Sequence, residues 1–175
     1  MMYVRNGAGM TIEMEIPLYI AKARIRWDEI EKDSYLRDIP AIAQISELDF
    51  HMPITLLAGE NGTGKSTLLE ALAVASGFNP EGGTRNYFLD EPEAALSPQR
   101  QLALLRMICM YAKRGAQFFI VTHSPILLGM PYAEILGFSK NGIGSLSYEE
   151  TESYQVTSLF LNQRDRILAQ LLEDE

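Results

Sequence analysis

The chain has 175 residues, and 47% of them are hydrophobic, which is enough for one core and so for a single domain spanning residues 1–175. Its formal net charge is −8, so the surface as a whole repels phosphate backbones, and nucleic acid is not indicated as a partner. Cys109 is the single cysteine, which excludes an internal disulfide. No run approaches the roughly 18 apolar residues of a membrane span, and the start does not resemble a secretory signal. We therefore expect a cytoplasmic protein.

The first 50 residues carry only weak signals of secondary structure. Polar and apolar residues alternate over 11–16, which predicts a strand with one wet face, and Pro17 places that strand at an edge. Residues 21–27 are its predicted hairpin partner. The charged stretch 28–50 has no clear assignment. Trp27 and Tyr35 are aromatic candidates for stacking on a base, although core packing is the favoured interpretation for both.

From residue 53 onward, apolar runs typical of buried strands alternate with helical patterns. We predict buried strands at 53–58, 87–90 and 118–121, and helices at 65–76 and 98–111, with Ser97 as an N-cap. A hairpin turning at Asn141-Gly142 and a last helix packed on the core through its leucines follow. The predicted fold class is α/β: a mostly parallel sheet flanked by helices, with an antiparallel N-terminal β addition and a C-terminal hairpin plus helix.

Residues 59–67 fit the pattern G-x-x-x-x-G-K-[ST] between a buried strand and an amphipathic helix. A polyphosphate needs many converging N–H donors, and glycines let the backbone curl around it. The helix that follows adds its free N–H groups and the positive end of its dipole. Lys65 supplies a cation for the β- and γ-phosphates, and the Ser66 hydroxyl faces Mg²⁺. The predicted nucleotide-binding residues are Gly59, Asn61, Gly62, Thr63, Gly64, Lys65, Ser66 and Thr67.

Two acids, Asp90 and Glu91, end the apolar run 87–89. Carboxylates there are costly unless a cation awaits them. Behind a phosphate-binding loop that cation is Mg²⁺, which Asp90 holds through water, while Glu91 orients or deprotonates the attacking water. His123 follows the predicted strand 118–121, which we expect beside the strand of the loop, so His123 is placed to reach the γ-phosphate. The predicted catalytic residues are Glu91, His123 and Lys65, and the predicted metal ligands are Ser66 and Asp90.

The order of these segments resembles the Walker A, Walker B, D-loop and H-loop order of ABC-type ATPases, with Leu89–Ser97 and Thr122–Pro125 as the later motifs. Within that group the chain is most similar to the AAA-like "predicted ATPase" branch, often labelled ABC transporter ATP-binding protein. The resemblance runs from about Ile54 to the C-terminus. It implies ATP and Mg²⁺ as ligands and an ATP-dependent homodimer, in which Ser97 lies near the nucleotide of the partner subunit.

One part of the ABC-type pattern has no counterpart in the chain. Those ATPases insert a helical subdomain with a signature motif between Walker A and Walker B, whereas Lys65 and Asp90 are only 25 positions apart (90 − 65). The run 81–84, Glu-Gly-Gly-Thr, echoes that motif faintly, and we interpret it as a turn. Our hypothesis is that the insert is missing near 84–87. The sequence leaves open whether that junction is natural, engineered or a gap in the recorded sequence.

Two functions from different classes fit these observations. The leading interpretation is an ATPase that hydrolyses ATP to ADP and phosphate and couples hydrolysis to a conformational change in an unidentified protein partner. The alternative is a nucleotide-gated binding module with negligible hydrolysis, which the short spacing favours. A P-loop kinase fits poorly, because it needs an acceptor pocket and lid arginines. The sequence does not choose between transport, repair and defence.

Overall fold

The computed structural model describes the backbone of residues 2–5 and 11–14, and residues 18–77 and 85–173. Short 3-10 turns cover Tyr35–Asp38 and Tyr148–Glu150. The strands in these ranges are β1 (Met2–Arg5), β2 (Thr11–Met14), β3 (Lys22–Arg24), β4 (Glu47–Asp49), β5 (Ile54–Gly59), β6 (Asn86–Asp90), β7 (Gln117–Val121), β8 (Ala133–Ser139) and β9 (Gly142–Leu146). The helices are α1 (Pro40–Ala43), α2 (Lys65–Ala75), α3 (Pro98–Ala112), α4 (Pro125–Leu128), α5 (Glu152–Asn162) and α6 (Arg164–Glu173).

The central sheet has five strands in the order β6-β7-β5-β8-β9. The first four are parallel, and β9 returns antiparallel to β8. Residues 54–58 and 117–121 are buried along their whole length, because helices or loops cover both faces of β5 and β7. The predicted α/β class, with a mostly parallel sheet flanked by helices, is confirmed, and so are the C-terminal hairpin and an antiparallel N-terminal β addition, which is a two-strand sheet of its own.

Helices cover the two faces of this sheet and form two apolar clusters. On one face, α2 contributes Leu68, Leu69 and Leu72, which pack with Leu57 and Phe119. On the other face, Ile108 of α3 and Leu127 of α4 pack with the strand residues of opposite parity, such as Leu56 and Ile120. The connection after β5 therefore lies on one face, and the connections after β6 and β7 lie on the other.

Strand β6 differs from its prediction as a strand buried on both faces. It is the edge strand of the sheet, and Tyr87 is 39% exposed. Its aromatic rings stack instead on their neighbours in β7, with ring centroids 4.8 Å apart for Tyr87–Phe118 and 5.4 Å for Phe88–Phe119. An apolar run does not reveal whether a second strand covers the outer edge, so the prediction was wrong on this point.

The N-terminal pairing also differs from its prediction. β2 pairs with β1, whereas β3, within the predicted hairpin partner, pairs with β4. Opposite charges favour this pairing, because Lys22 forms ion pairs with Glu47 and Asp49. Lys22, and then Arg24, lowers the pKa of the Glu47 carboxyl. The unassigned stretch 28–50 supplies β4, α1 and the first 3-10 turn.

The two aromatic residues of the N-terminal region have different surroundings. Trp27 packs against the core and donates from Nε1 to the Ile45 carbonyl at 2.6 Å, with the Arg37 guanidinium 5.0 Å from its ring. Core packing is thus confirmed for Trp27. Tyr35 is 66% exposed, so the same interpretation was wrong for Tyr35.

The C-terminal end departs from the predicted single helix on the core. Two helices, α5 and α6, follow the hairpin, and α6 lies close to α5. Leu171 and Leu172 are 66% and 70% exposed, so the predicted core packing of these leucines was wrong. On α5, the side chains of Val156 and Leu161 are also exposed. In the described ranges no helix combines the length and apolar character that crossing a bilayer requires.

Candidate nucleotide site

The predicted site residues lie at the carboxyl edge of the parallel sheet. The chain leaves β5 through residues 60–64 into α2 on one face, and it leaves β7 through residues 122–124 into α4 on the other face. Neighbouring strands whose connections diverge in this way leave a crevice between them, where α/β proteins bind ligands. Asp90, at the end of β6, adjoins the same edge because it pairs with Val121.

Glycines make the curl of the loop after β5 possible. Gly59 has φ +140°, and a Cβ placed there would lie 2.5 Å from the Phe138 carbonyl oxygen. Gly64 has φ +99°, and a Cβ there would lie 2.7 Å from Cγ2 of Ile39. Gly62 also has a positive φ, +79°, but its Cβ would meet open space. Two of the three positions therefore exclude a side chain by contact as well as by backbone conformation.

Helix α2 begins inside the loop motif, at Lys65, with Gly64 as its N-cap. Gly64 has no side chain, so the first N–H groups of the helix receive no side-chain cap and remain open to an anion. Ser66 lies exposed in the first turn, and Thr67 is half-buried. Asn61 is exposed at the outer bend of the loop, where the Thr63 hydroxyl donates to the Glu60 carbonyl at 2.8 Å.

Lys65 folds back onto its own loop. Only 5% of the residue is exposed, and Nζ donates to the carbonyls of Gly59 and Glu60 at 2.8 Å each. Burial lowers the pKa of this ammonium, while the nearby charges of Glu91 and then Asp90 oppose the shift. The cation of the loop and the two predicted acids thus lie within electrostatic reach of one another.

Glu91 occupies an unusual backbone position directly after β6. Its φ is +44°, in the left-handed region that costs an L residue about 1–2 kcal/mol, and its N–H donates to the Val121 carbonyl at 2.9 Å. Its side chain is half exposed, with Oε1 3.7 Å from Nε2 of His123. Strain of this kind persists where the surrounding structure fixes it, and it occurs most often at functional sites.

His123 follows β7 beside the loop, as its place in the sequence predicted. The prediction that β7 lies next to β5 is confirmed by their parallel pairing. Nε2 of His123 is buried and has no hydrogen-bond partner within the described ranges. The 3.7 Å separation from Glu91 is an ion-pair distance for a protonated ring and too long for a hydrogen bond.

A second carboxylate, Glu93, was not among the predicted site residues. Its Oε1 accepts from the Thr122 hydroxyl at 2.6 Å and from the backbone N–H groups of His123 and Ser124 at 2.8 and 3.1 Å. Its Oε2 is buried without a described partner. The only sequence signal was its place two positions after Glu91, which says nothing about the loop it would contact.

Gln101, on α3, links the same two segments from the helix side. Its Oε1 accepts from the Ser124 hydroxyl at 2.6 Å, and its Nε2 donates to the Leu96 carbonyl at 3.1 Å. Ser124 in turn accepts from the first N–H groups of α4. The turn after β6 and the turn after β7 are therefore held together by side-chain hydrogen bonds.

A cleft of about 740 Å³ opens beside the loop. Residues 59–63 and His123 form one side, Pro40 and Ala41 of α1 contribute a second, and residues 137–140 at the end of β8 close a third. Its volume falls within the range typical of small-molecule sites. No group of three or more histidine, cysteine or acidic side chains gathers as a ready metal cage among the residues that the structure describes.

This combination of a glycine-bent loop, a helix N-terminus, a buried lysine and two acids at the end of β6 is consistent with a P-loop NTPase. Comparison with protein families agrees, because residues 36–120 match the family described as AAA domain. That match covers a little under half of the chain, and over those residues the chain is similar to AAA-type P-loop NTPase domains. A search of curated proteins found no match.

Proposed function

We propose that this protein is an ABC-type ATPase that binds ATP with Mg²⁺ and hydrolyses it to ADP and phosphate. The observation that carries the proposal is the meeting of Lys65 with Asp90, Glu91 and His123 at one edge of the sheet. Burial disfavours the charged form of Lys65, and the two acids offset that cost only in part. A cluster with a purely structural role would leave the remaining cost in place. A triphosphate would supply the missing negative charge.

The loop 59–67 is the proposed phosphate cradle. The N–H groups at the start of α2 have no side-chain cap, and the dipole of the helix favours an anion there. Lys65 would exchange its two backbone carbonyls for the β- and γ-phosphate oxygens. The exchange would release the two hydrogen bonds that Lys65 now makes within its own loop.

The proposed metal site uses few protein ligands. Ser66 presents an exposed hydroxyl in the first turn of α2, and Asp90 presents an exposed carboxylate near Lys65. These oxygen donors suit Mg²⁺, which keeps several waters and binds through one or two protein groups plus phosphates. When bound, Mg²⁺ neutralises the charge that develops on the β- and γ-phosphates.

Glu91 and His123 are the proposed hydrolytic groups. Glu91 takes a proton from the attacking water, the water oxygen bonds to the γ-phosphorus, and the bond between that phosphorus and the β–γ bridging oxygen breaks, which releases ADP and phosphate. His123 donates from Nε2 to a γ-phosphate oxygen, which would satisfy a nitrogen that is now buried without a partner. Lys65 stabilises the charge on the transferred group.

We further propose an ATP-dependent homodimer that acts on a protein partner. Ser97 is exposed at the start of α3, on the side of the turn after β6, where a second subunit could approach. The proposed loss of a helical insert falls at 84–87, and residue 84 lies outside the described residues. Without that insert the γ-phosphate lacks donors from a partner, so we expect binding to survive and turnover to be slow.

The second candidate, a nucleotide-gated binding module, is favoured by one observation. Only 25 positions (90 − 65) separate Lys65 from Asp90, which leaves no room for an opposing helix end to complete a hydrolytic site. Both candidates bind MgATP, and they differ in the need for Glu91.

A phosphate-release assay on wild-type protein and Glu91→Gln separates the two candidates. The ATPase proposal expects wild-type turnover that falls at least about 100-fold in Glu91→Gln, as for loss of a general base. Glu70→Gln, which changes an exposed carboxylate on α2, is the matched control and should retain the wild-type rate. Equal rates in wild type and Glu91→Gln, with MgATP still bound, would leave the binding module as the function.

A further inference from the structure

Glu93, in the turn after β6, holds the turn after β7. The two turns are about 30 residues apart in the chain, and Glu93 joins them by accepting three hydrogen bonds at a single oxygen. One of these donors is the backbone N–H of His123 itself. Glu93 therefore fixes the backbone of His123, while Glu91, two positions earlier, faces the His123 ring.

The arrangement buries a carboxylate of which only one oxygen is hydrogen-bonded to a described residue. Oε2 of Glu93 is buried with no described partner, and a buried carboxylate oxygen without a donor destabilises the folded state. An amide at this position would bury an unpaired NH₂ group in place of that oxygen, and an apolar side chain would leave the three donors of the second turn without an acceptor. A carboxylate here suits a demand on the geometry of the loop, since a carboxylate can accept several convergent N–H and O–H groups at once.

Gln101, on α3, supports the other end of the turn after β7. The Ser124 hydroxyl donates to Gln101 and accepts from the N–H groups of Ile126 and Leu127, so the far end of the turn is anchored to both helices. With both ends of the turn anchored, the His123 ring has little freedom other than rotation of its own side chain.

We propose that Glu93 is a positioning residue, which fixes the backbone of His123 so that Nε2 of its ring, 3.7 Å from Glu91, meets the γ-phosphate. This role rests on the proposed function, because it requires a nucleotide with a γ-phosphate. It also links the turn after β6 to the turn after β7, which carries the γ-phosphate contact, so that movement of either turn shifts the other.

The test is a double-mutant cycle read out by nucleotide affinity, which does not depend on turnover. Wild type, Glu93→Ala, His123→Ala and the double variant are titrated with Mg-ATPγS and with MgADP, which lacks the γ-phosphate. We expect each single variant to bind ATPγS about five- to tenfold more weakly, as for one lost hydrogen bond, with ADP affinity unchanged within about twofold. The double variant should bind ATPγS no more weakly than His123→Ala.

Conservative variants and an independent signal guard against an effect of misfolding. Glu93→Gln keeps an acceptor oxygen and should recover part of the ATPγS affinity, whereas Glu70→Ala on α2 should change neither affinity. In ¹H–¹⁵N spectra the amide signals of His123 and Ser124 should move in Glu93→Ala, because both N–H groups lose a charged acceptor. If Glu93→Ala does not fold, Glu93→Gln carries the same comparison with a smaller expected change.

The outcomes separate this inference from the proposed function. Equal losses of ATPγS and ADP affinity in Glu93→Ala, or additive losses in the double variant, would overturn the positioning role and leave the nucleotide site intact. Wild-type protein that binds neither nucleotide would refute the proposed function, and the positioning role with it.

Discussion

Replacing Gly59 by alanine tests the physical basis of the loop. Gly59 ends β5 with φ +140°, and its Cβ would lie 2.5 Å from a backbone oxygen of Phe138 in β8. A backbone oxygen in a paired strand cannot swing aside as a flexible side chain can. Gly62, in the same loop, has φ +79° and open space around the Cβ position, so Gly62→Ala is the matched control.

The two substitutions differ in their expected cost. A non-glycine residue in the conformation of Gly59 costs about 1–3 kcal/mol, and forcing an extra methyl into a packed contact adds about 1–3 kcal/mol. We therefore expect Gly59→Ala to lower the free energy of unfolding by about 4 kcal/mol. Gly62→Ala carries the strain alone, about 1–2 kcal/mol.

Urea denaturation measures the difference directly. Fluorescence of the single tryptophan, Trp27, and far-UV circular dichroism report unfolding of the N-terminal region and of the whole domain. At an unchanged denaturant slope, the midpoint should fall more for Gly59→Ala than for Gly62→Ala. Equal midpoints for the two variants would refute the argument that close approach to β8 fixes glycine at position 59.

Three further predictions follow from other contacts. Gln117→Leu should lower the free energy of unfolding by about 2–4 kcal/mol in denaturant titrations, because the buried amide makes two hydrogen bonds between β7 and the backbone of Ile20. An unchanged free energy of unfolding would contradict a stabilising role for these two hydrogen bonds. Burial raises the pKa of the Cys109 thiol, so the folded protein has less thiolate at pH 8 than the unfolded chain. Iodoacetamide should therefore alkylate the folded protein more slowly than the urea-unfolded chain, and the rate for the folded protein should still rise above pH 9. Equal rates at pH 8 would contradict this. Leu172→Glu should change the free energy of unfolding by no more than about 0.5 kcal/mol, since the side chain is 70% exposed, whereas a loss of several kcal/mol would restore the core packing predicted from sequence.

The central part of the fold was predictable because its signals are local and strong. Residues 53–58 and 118–121 are continuous apolar runs, and the loop motif between a strand and a helix fixes where α2 begins. The helix predicted at 98–111 matches α3 to within one residue. These elements depend on burial and on turn chemistry, both of which are written in adjacent residues.

The errors arose where pairing depends on distant partners. The pairing of β3 with β4 rests on the charges of Lys22 and Arg24 against Glu47 and Asp49, more than 20 residues away. The exposed leucines of α6 have the same helical spacing as a buried face, so periodicity alone assigned them to the core. Sequence patterns identify an apolar face but do not say what covers it.

The candidate site shows the same division. The residues at strand ends were predictable from the motif, and parallel pairing of β5 with β7 explains why His123 lies beside the loop. Glu93 and Gln101 were missed, because their role depends on hydrogen bonds to a turn that lies 20 to 30 residues away. The proposed roles of the site residues therefore rest on motif and geometry together.

Calorimetric titration of the wild-type protein and Lys65→Ala with MgATP tests the central claim most directly, which is that the loop 59–67 grips a triphosphate. The account predicts a binding isotherm for wild type and an affinity at least about tenfold weaker for Lys65→Ala, because a charged hydrogen-bond donor to the phosphates is lost. No binding heat for wild type, or the same affinity in both proteins, would contradict it.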